Sequence, residues 1–393
     1  MNEMIDLGGT LRAVTPAQTL AKIEPLLWEQ FGITRVANIT GLDNIGIPTY
    51  VAIRPGARLL TSAQGKGITH ELAKVSAMME SIEGWHCENM AVPALFGAYH
   101  QLKNDYPLIT LHPNINHGPF EWVDIESLAI PWGKGIELIS GQEIYFPYTT
   151  FHVNTTFFQP GYRYFPPTTN GLASGNTIEE ATCHGIFEVL EREFTVENLL
   201  VSHYNQVDLS SITSPHLLAL ITSIYRQNLR LEVWDIRTKM AIPAYLVILH
   251  NPDEIRNVGM MMGTGAHFSS VVALSRALTE AIQARLTIIS GSRDDQTPRV
   301  YKKIKRIRGD YDEMFAKTSR EKLPFFETKL PRHYSFAECL QDLLTLLTEQ
   351  GFNQVIVYNH TREALDIPVV HVMIPGLRYL HGTCFSCSLS RLS

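Results

Sequence analysis

The chain has 393 residues, of which 45% are hydrophobic and 18% charged, with a formal net charge of −6. Such a chain buries a large core, leaves room for about two domains at most, and carries no long disordered charged tail. The negative balance argues against a nucleic-acid surface and is compatible with a site that binds cations.

From the N-terminus, residues 1–6 lack the basic and apolar regions of a secretory signal, and no apolar run reaches membrane-spanning length. The cysteines Cys87, Cys183, Cys339, Cys384 and Cys387 form no framework of paired spacings. The expected setting is a reducing cytoplasm. Thr15 and Pro16 open a helix carrying Leu20, Ile23, Leu26 and Leu27, proline being suited to the first helical position. Residues 33–40 and 49–54 read as strands, separated by a turn over 41–48 and closed by Pro55 and Gly56. Gly65, Lys66 and Gly67 are expected in a loop that opens the next helix. Backbone N–H groups there can approach an anion, with Lys66 as a point charge, although the Walker A spacing is absent.

Residues 105–166 hold short strands and turns, and their aromatic side chains (Phe120, Trp122, Trp132, Tyr145, Phe146, Tyr148, Tyr162, Tyr164, Phe165) read as packing. A second glycine-bearing loop, 170–176, leads into a helix that begins at Asn176 or Thr177. Thr177 and Glu180 form a capping box, and Glu179 and Glu180 meet the positive end of the helix dipole. Residues 229–235 and 244–249 read as strands. A third glycine-bearing loop, 263–267, precedes another helix. The stretch 299–322 is locally basic (Lys302, Lys303, Lys305, Arg306, Arg308) and reads as a solvated helix, with a lid over a phosphate site as the other reading. Residues 336–350 form a helix, and 355–358 and 369–374 close the chain as strands. Cys384 and Cys387 belong to an unstructured tail rather than to half of a metal or redox site.

One pattern recurs in the three helices that follow the glycine-bearing segments. Ala73, Ala77, Glu80 and Glu83 share a face, with Met78 and Ile82 behind. Ala181, His184, Gly185, Glu188, Glu191 and Arg192 do so with Ile186 and Leu190 behind. Ala273, Ala277, Glu280 and Gln283 do so with Leu278 and Ile282 behind. Carboxylates at i and i+3 usually mark a solvated face. Here small residues stand beside them in each copy, so the helices are read as aimed at one acidic cavity. Clustered carboxylates repel and call for cations, and oxygen-only ligands suit Mg²⁺ better than zinc. With Lys66, Arg192, Arg276 and Arg285 added, the cavity suits a metal-bridged polyphosphate and nucleotide phosphoryl transfer.

The combination resembles the YcaO family. Its carriers are Gln64 to Gly67 with Glu80 and Glu83, then Ser174 to Asn176 with Glu188, Glu191 and Arg192, then Arg276, Glu280 and Gln283. Gly41 to Asp43, Arg293 to Asp295, and Ile367 to Leu377 are also similar to it. The likeness covers residues 10–377. It implies an α/β (α+β) fold with repeated strand and acidic-helix units around a central Mg-ATP cavity, in one domain over 1–393, with a possible lid at 296–335 and a tail at 378–393. It also implies ATP and Mg²⁺ as cofactors and activation of a peptide backbone amide, whose oxygen is phosphorylated after a nucleophile adds to the carbonyl. Carried over by match, Glu80, Glu83, Glu188 and Glu191 hold Mg²⁺. Arg12, Thr19, Lys66, Ser76, Asn176, Glu180, Arg192, Arg276, Glu280 and Gln283 surround the nucleotide. No catalytic residue is assigned. Gly84 and Trp85 follow Glu83 where many members have Arg, so no role is carried to that position.

The chain ends without the proline-rich run usual in azoline-forming members. Residues 35–43 and 80–86 look most like the branch that works with a TfuA partner and is associated with thioamide formation. The expectation is therefore thioamidation of a peptide or protein, with azoline formation as the alternative. A TfuA-like or other peptide-presenting partner and a homodimer accompany it. A two-metal phosphohydrolase and a catalytically silent nucleotide-binding scaffold are the rival classes. The first would be expected to add metal-binding His or Asp on loops, and the complete set of acidic motifs argues against the second.

Overall fold

The computed structural model describes residues 3–111, 124–154, 156, 161–162, 164–199, 205–251, 258–299, 301 and 321–378. Two short strands, β1 (Ile5–Asp6) and β2 (Leu11–Arg12), pair antiparallel and lead into α1 (Pro16–Ile23). Thr15 and Gln18 close a capping box on α1, with Pro16 in the first turn as its fixed φ favours. The strands β3 (Arg35–Asn38), β4 (Thr49–Ile53) and β5 (Ser62–Lys66) form an antiparallel sheet, on which α2 (His70–Glu88) packs.

Next come β6 (Leu95–Ala98), the one-turn helix α3 (Tyr99–Leu102), β7 (Ala129–Glu137), β8 (Glu143–Pro147), the one-turn α4 (Tyr148–Phe151) and β9 (Leu172–Ser174). The long helix α5 (Ile178–Leu199) follows β9. Then β10 (Asn205–Asp208), α6 (Pro215–Tyr225), β11 (Arg230–Asp235), β12 (Ala244–His250), β13 (Met261–Ala266), α7 (Ser270–Ser290) and β14 (Leu323–Pro324) succeed one another. The last elements are α8 (Phe336–Glu349), β15 (Ile356–Asn359) and β16 (Val369–Met373). One sheet runs β13-β12-β11-β10-β14. The other runs β6-β7-β15-β16-β9, with β8 paired to β7.

Apolar side chains fill the space between sheets and helices. Ile186 and Leu190 of α5 meet Leu343 of α8 and Val372 of β16, while Leu278 and Ile282 of α7 meet Val247 of β12 and Leu220 of α6. Met78 and Ile82 of α2 face a third cluster with Ile23 and Ala52. Each acidic helix thus buries the side opposite its glutamates, as the spacing requires. Trp132, Phe146 and Phe165 are fully buried, in keeping with a packing role.

The structure corrects one expectation. Several glycines of the three segments before the acidic helices lie on strands and not in loops. Gly65, Gly263 and Gly265 belong to β5 and β13, while Gly67 follows β5 and Gly171 and Gly175 flank the short strand β9. Their purpose is contact. A methyl group at Gly65 would stand 2.0 Å from the Ala77 backbone nitrogen, and one at Gly265 would stand 2.1 Å from the Ala273 carbonyl oxygen. Small residues on strand and helix together bring each backbone pair close. The chain repeats strand, capped turn, acidic helix: β5–α2, β9–α5 and β13–α7.

Among the described residues no helix is long and apolar enough to cross a membrane. Phe120, Trp122, the basic residues from Lys302 to Arg308, Cys384 and Cys387 lie outside the described residues, as do parts of the expected lid and tail.

Candidate active site

Each acidic helix is started by a hydroxyl. Thr69 accepts from Leu72 N at 3.2 Å, Thr177 from Glu180 N at 3.1 Å, and Ser269 from Val272 N at 3.4 Å. The box predicted at Thr177 is only half formed. The Glu180 carboxylate accepts instead from Asn176 N, at 3.0 Å. That shift recruits Glu180 into a network. Its oxygens also accept from Asn176 Nδ2 at 3.1 Å, Ala13 N at 3.3 Å and Arg12 Nη1 at 3.3 Å, while Thr19 donates to Asn176 Oδ1 at 2.8 Å. Glu180 is fully buried, so these donors offset the cost of taking a carboxylate out of water. Arg12, Thr19, Asn176 and Glu180 are therefore in mutual contact.

The three helices are tied to one another through their acidic side chains. Ser174, at the end of β9, donates to Glu83 of α2 at 2.5 Å. Thr264 of β13 donates to Glu191 of α5 at 2.6 Å, and its backbone N–H reaches Glu280 of α7 at 3.3 Å. Lys66 Nζ at the end of β5 lies 3.7 Å from Glu280, and Gln283 donates to the Gln64 carbonyl at 2.7 Å. Arg192 sits 4.0 Å from Glu188 on the same helix, and Ser76 lies one turn before Glu80 on α2.

Electrostatics place the carboxylates in one field. Burial is the largest influence on Glu80, Glu83 and Glu188 and pushes them up to about 7, about 8 and about 7. Like charges add to it. Glu280 acts on both Glu80 and Glu188, and Glu80 and Glu188 both act on Glu83. Arg293 and Lys66 oppose the rise at Glu80, as Arg192 and Arg276 do at Glu188. Glu80 keeps an accessible surface and Glu83, Glu188 and Glu280 are half-buried. Accessible yet poorly solvated carboxylates are those that line a hollow walled by protein. Burial works against the charge of Arg192, but Glu191, Glu188 and Glu280 more than offset it and hold the guanidinium above its ordinary value.

Beside this acidic wall stands a basic corner that spacing alone did not indicate. Arg12 Nη1 lies 2.8 Å from His184 Nε2. Burial, then Arg12 and Arg276, drive His184 well below its ordinary value, and burial and Arg276 bring His267 down to about 3. Both rings are neutral acceptors or donors there, not cations. Thr264 was also missed. Its signal was the two-residue period of the strand, since Gly263 and Gly265 face α7 and the residue between them must face away, toward α5.

The donor set fits Mg²⁺. Among the described residues no three His, Cys, Asp or Glu side chains converge on a ready-made ion cage. Paired glutamates leaving coordination positions open are what Mg²⁺ accepts when phosphate oxygens and water complete its shell. A groove of about 410 Å³ elsewhere, lined by Val207, Tyr225, Arg230, Glu232 and Lys322 among others, contains none of these residues. Charge, not volume, selects the site.

Comparison with known proteins agrees. A family model described as YcaO cyclodehydratase, ATP- and Mg²⁺-binding, matches residues 64–378. A protein encoded in the tfuA 3′ region of Rhizobium leguminosarum bv. trifolii is 33% identical over 376 residues, covering 93% of this chain and 88% of that protein. A protein of Methanothermobacter thermautotrophicus is 30% identical over 397 residues, covering 93% and 94%. The YcaO of Methanopyrus kandleri, solved with AMPPCP and Mg²⁺, superposes with a TM-score of 0.73 at 22% identity, over 96% of this chain and 95% of that one. A heterocyclase solved with substrate and cofactor gives 0.75 at 21% identity over 94% of this chain, which spans 53% of the heterocyclase. Fold, acidic helices and family match converge on one conclusion: the chain belongs to the YcaO family of ATP- and Mg²⁺-binding proteins.

Proposed function

We propose that the protein activates a backbone amide of a peptide or protein for conversion to a thioamide, with a TfuA-like partner presenting the substrate. The reading rests on one observation above the rest: hydrogen bonds tie the glutamates of α2, α5 and α7 to their neighbouring strands, and Glu80, Glu83, Glu188 and Glu280 lie close enough to raise one another's proton affinity. The partner and the product are supported by the relative encoded beside tfuA. Sulfide adds to the amide carbonyl carbon, and the resulting oxyanion attacks the γ-phosphorus of ATP as the bond to ADP breaks. Phosphate then leaves carbon, sulfur loses its proton, and the C=S bond forms. The sum is amide, hydrosulfide and ATP giving thioamide, ADP and phosphate.

Glu80, Glu83, Glu188 and Glu191 hold Mg²⁺, and Lys66, Arg192 and Arg276 meet the phosphates. Arg12, Thr19, Ser76, Asn176, Glu180, Glu280 and Gln283 complete the nucleotide's surroundings. When bound, Mg²⁺ neutralises the triphosphate and the charge that develops during transfer. The half-buried hollow limits water around the phosphates and strengthens each charged contact. A homodimer in a reducing cytoplasm belongs to the same reading, and the buried thiols Cys87, Cys183 and Cys339 suit it.

The family's description as a cyclodehydratase favours a second reading, in which a side chain of the peptide itself is the nucleophile and an azoline ring forms. Mass spectrometry of a peptide encoded by a neighbouring gene, incubated with the protein, ATP, sulfide and the TfuA-like partner, decides between them. Exchange of one oxygen for sulfur with ADP formation is the expected result. Loss of one water identifies ring closure, and phosphoester cleavage independent of peptide identifies a phosphohydrolase.

A further inference from the structure

Strands β10 and β11 begin as a hydrogen-bonded pair and then part. Asn205 stands opposite Asp235 and Gln206 opposite Trp234, and the pairing stops there. Continued in register, Val207 would face Val233 and Asp208 would face Glu232. Instead Val207 and Asp208 pair with β14 on their other side, and Asp208 turns the chain by accepting from Ser210 N at 3.0 Å. Strand β11 runs on without them, paired to β12 from Arg230 to Asp235. Successive residues of an antiparallel strand point their N–H and C=O to alternate sides. Part of Arg230–Val233 therefore offers backbone donors and acceptors that meet no second strand among the described residues. The groove of about 410 Å³ opens at this place, lined by residues 206–210 and 229–233 with Tyr225 and Lys322.

Charge decides what kind of occupant suits the groove. Its two carboxylates are already engaged: Asp208 accepts from Ser210 N and Oγ, and Glu232 accepts from Gln206 Nε2. Its two cations, Arg230 and Lys322, are exposed and form no hydrogen bond or ion pair with a described residue; their charge reaches Glu232 only through space. Tyr225, 48% exposed, adds an aromatic flank. We propose that this groove takes an extended acidic segment of the substrate peptide, which adds to the open edge of β11 as a further strand and turns its carboxylates toward Arg230 and Lys322. A small anion uses the two cations and leaves the strand edge unpaired, whereas an acidic peptide meets both. Main-chain hydrogen bonds give affinity without reading sequence, and the cations supply the preference for acidic segments. The inference rests on the peptide-modification reading above and gives that peptide a hold apart from the residues assigned to Mg²⁺ and ATP.

Hydrogen exchange on the full chain, with the partner and the peptide encoded by a neighbouring gene, tests the strand; peptide affinity by fluorescence anisotropy tests the charges. Amides within Arg230–Val233 are expected to exchange on the order of 10-fold more slowly once the peptide is added. Arg230→Glu combined with Lys322→Glu is expected to weaken peptide binding about 10-fold at low salt and less at high salt. It should raise KM for the peptide and leave kcat at saturating peptide and Mg²⁺-ATP affinity unchanged. Ser210→Trp, at an exposed position on the groove wall, fills the space and should lower protection and affinity together. Unchanged exchange at Arg230–Val233, whether or not the peptide binds elsewhere, overturns the proposal, as does equal affinity in the charge-reversed protein. Slowing brought about by free glutamate alone identifies a small-molecule site, and slowing by the partner without peptide identifies the partner as occupant; either overturns it too. Protection with no peptide modified keeps the groove and strikes at the reading of the reaction, whereas modification without protection removes the groove alone.

Discussion

Ser174 and Glu83 stand 91 residues apart in the chain, yet the serine hydroxyl donates to the carboxylate at 2.5 Å. The bond joins the strand that launches α5 to the acidic face of α2. Glu83 is pushed up to about 8 mainly by burial and by its neighbours Glu80 and Glu188, while this hydrogen bond pulls the other way. A hollow built from such groups is strained electrostatically until cations enter it.

Removing one of its charges is the most direct check. Glu80→Gln takes away a carboxylate that burial already penalises, so the variant should fold and melt no lower than the parent. Its Mg²⁺-dependent ATP affinity should fall by at least about 10- to 100-fold if Glu80 touches the metal directly. Unchanged nucleotide affinity by calorimetry counts against the assignment of Glu80.

Stability should depend on pH with a definite sign. Glu80, Glu83 and Glu188 have folded-state values near 7, 8 and 7, above their ordinary 4.5, so their contribution is complete below 4.5 and is lost as pH rises through 7 to 8. Buried His86, at about 4, and His267 and His371, at about 3, lie below their ordinary 6.5. Theirs is complete above 6.5 and is lost as pH falls. About a unit above pH 6.5 the unfolded imidazoles are neutral and the carboxylates set the slope, so the melting temperature of the ligand-free protein should decline as pH approaches 8. Saturating Mg²⁺ and ATP should flatten the decline, and a ligand-free melting temperature that rises there contradicts the sign.

Gly65→Ala tests the close approach of β5 to α2. The added methyl meets the backbone of Ala77 at 2.0 Å and the Ala73 carbonyl at 2.3 Å, neither of which can rotate aside. Overpacking of this kind costs about 1–3 kcal/mol or more. Urea unfolding should show that loss, and Mg²⁺-ATP affinity should drop with it because α2 carries Glu80 and Glu83.

Arg54→Ala probes the far end of the same helix. Arg54 and Glu88 form a buried two-pronged pair at 2.7 Å in both contacts, with side-chain exposures of 6% and 1%. Leaving Glu88 unpaired should cost about 3–5 kcal/mol in urea unfolding. Replacing both partners with apolar residues should recover much of that loss.

The helices and their acidic faces were legible because the 3.6-residue period and the run of small residues both survive in one dimension. Strand–helix contact was not. In sequence, Gly263 and Gly265 look like a turn, since glycine marks turns and close approaches alike, and only the facing Ala273 and Ala277 tell the two apart. Ser174 and Thr264 entered only as members of longer segments, because a lone hydroxyl becomes informative only once its distant carboxylate is known. His184 was read only as a member of the acidic face and His267 only as the end of a loop, since their neighbours Arg12 and Arg276 reach them through the fold.

The glycine-to-alanine seams have a consequence for motion. With strand and helix backbones in contact, α2 cannot slide over β5, nor α7 over β13, without a clash that no side chain can relieve. Glu80 and Glu280 therefore each travel with their own strand, and any rearrangement between them must move whole strand–helix units.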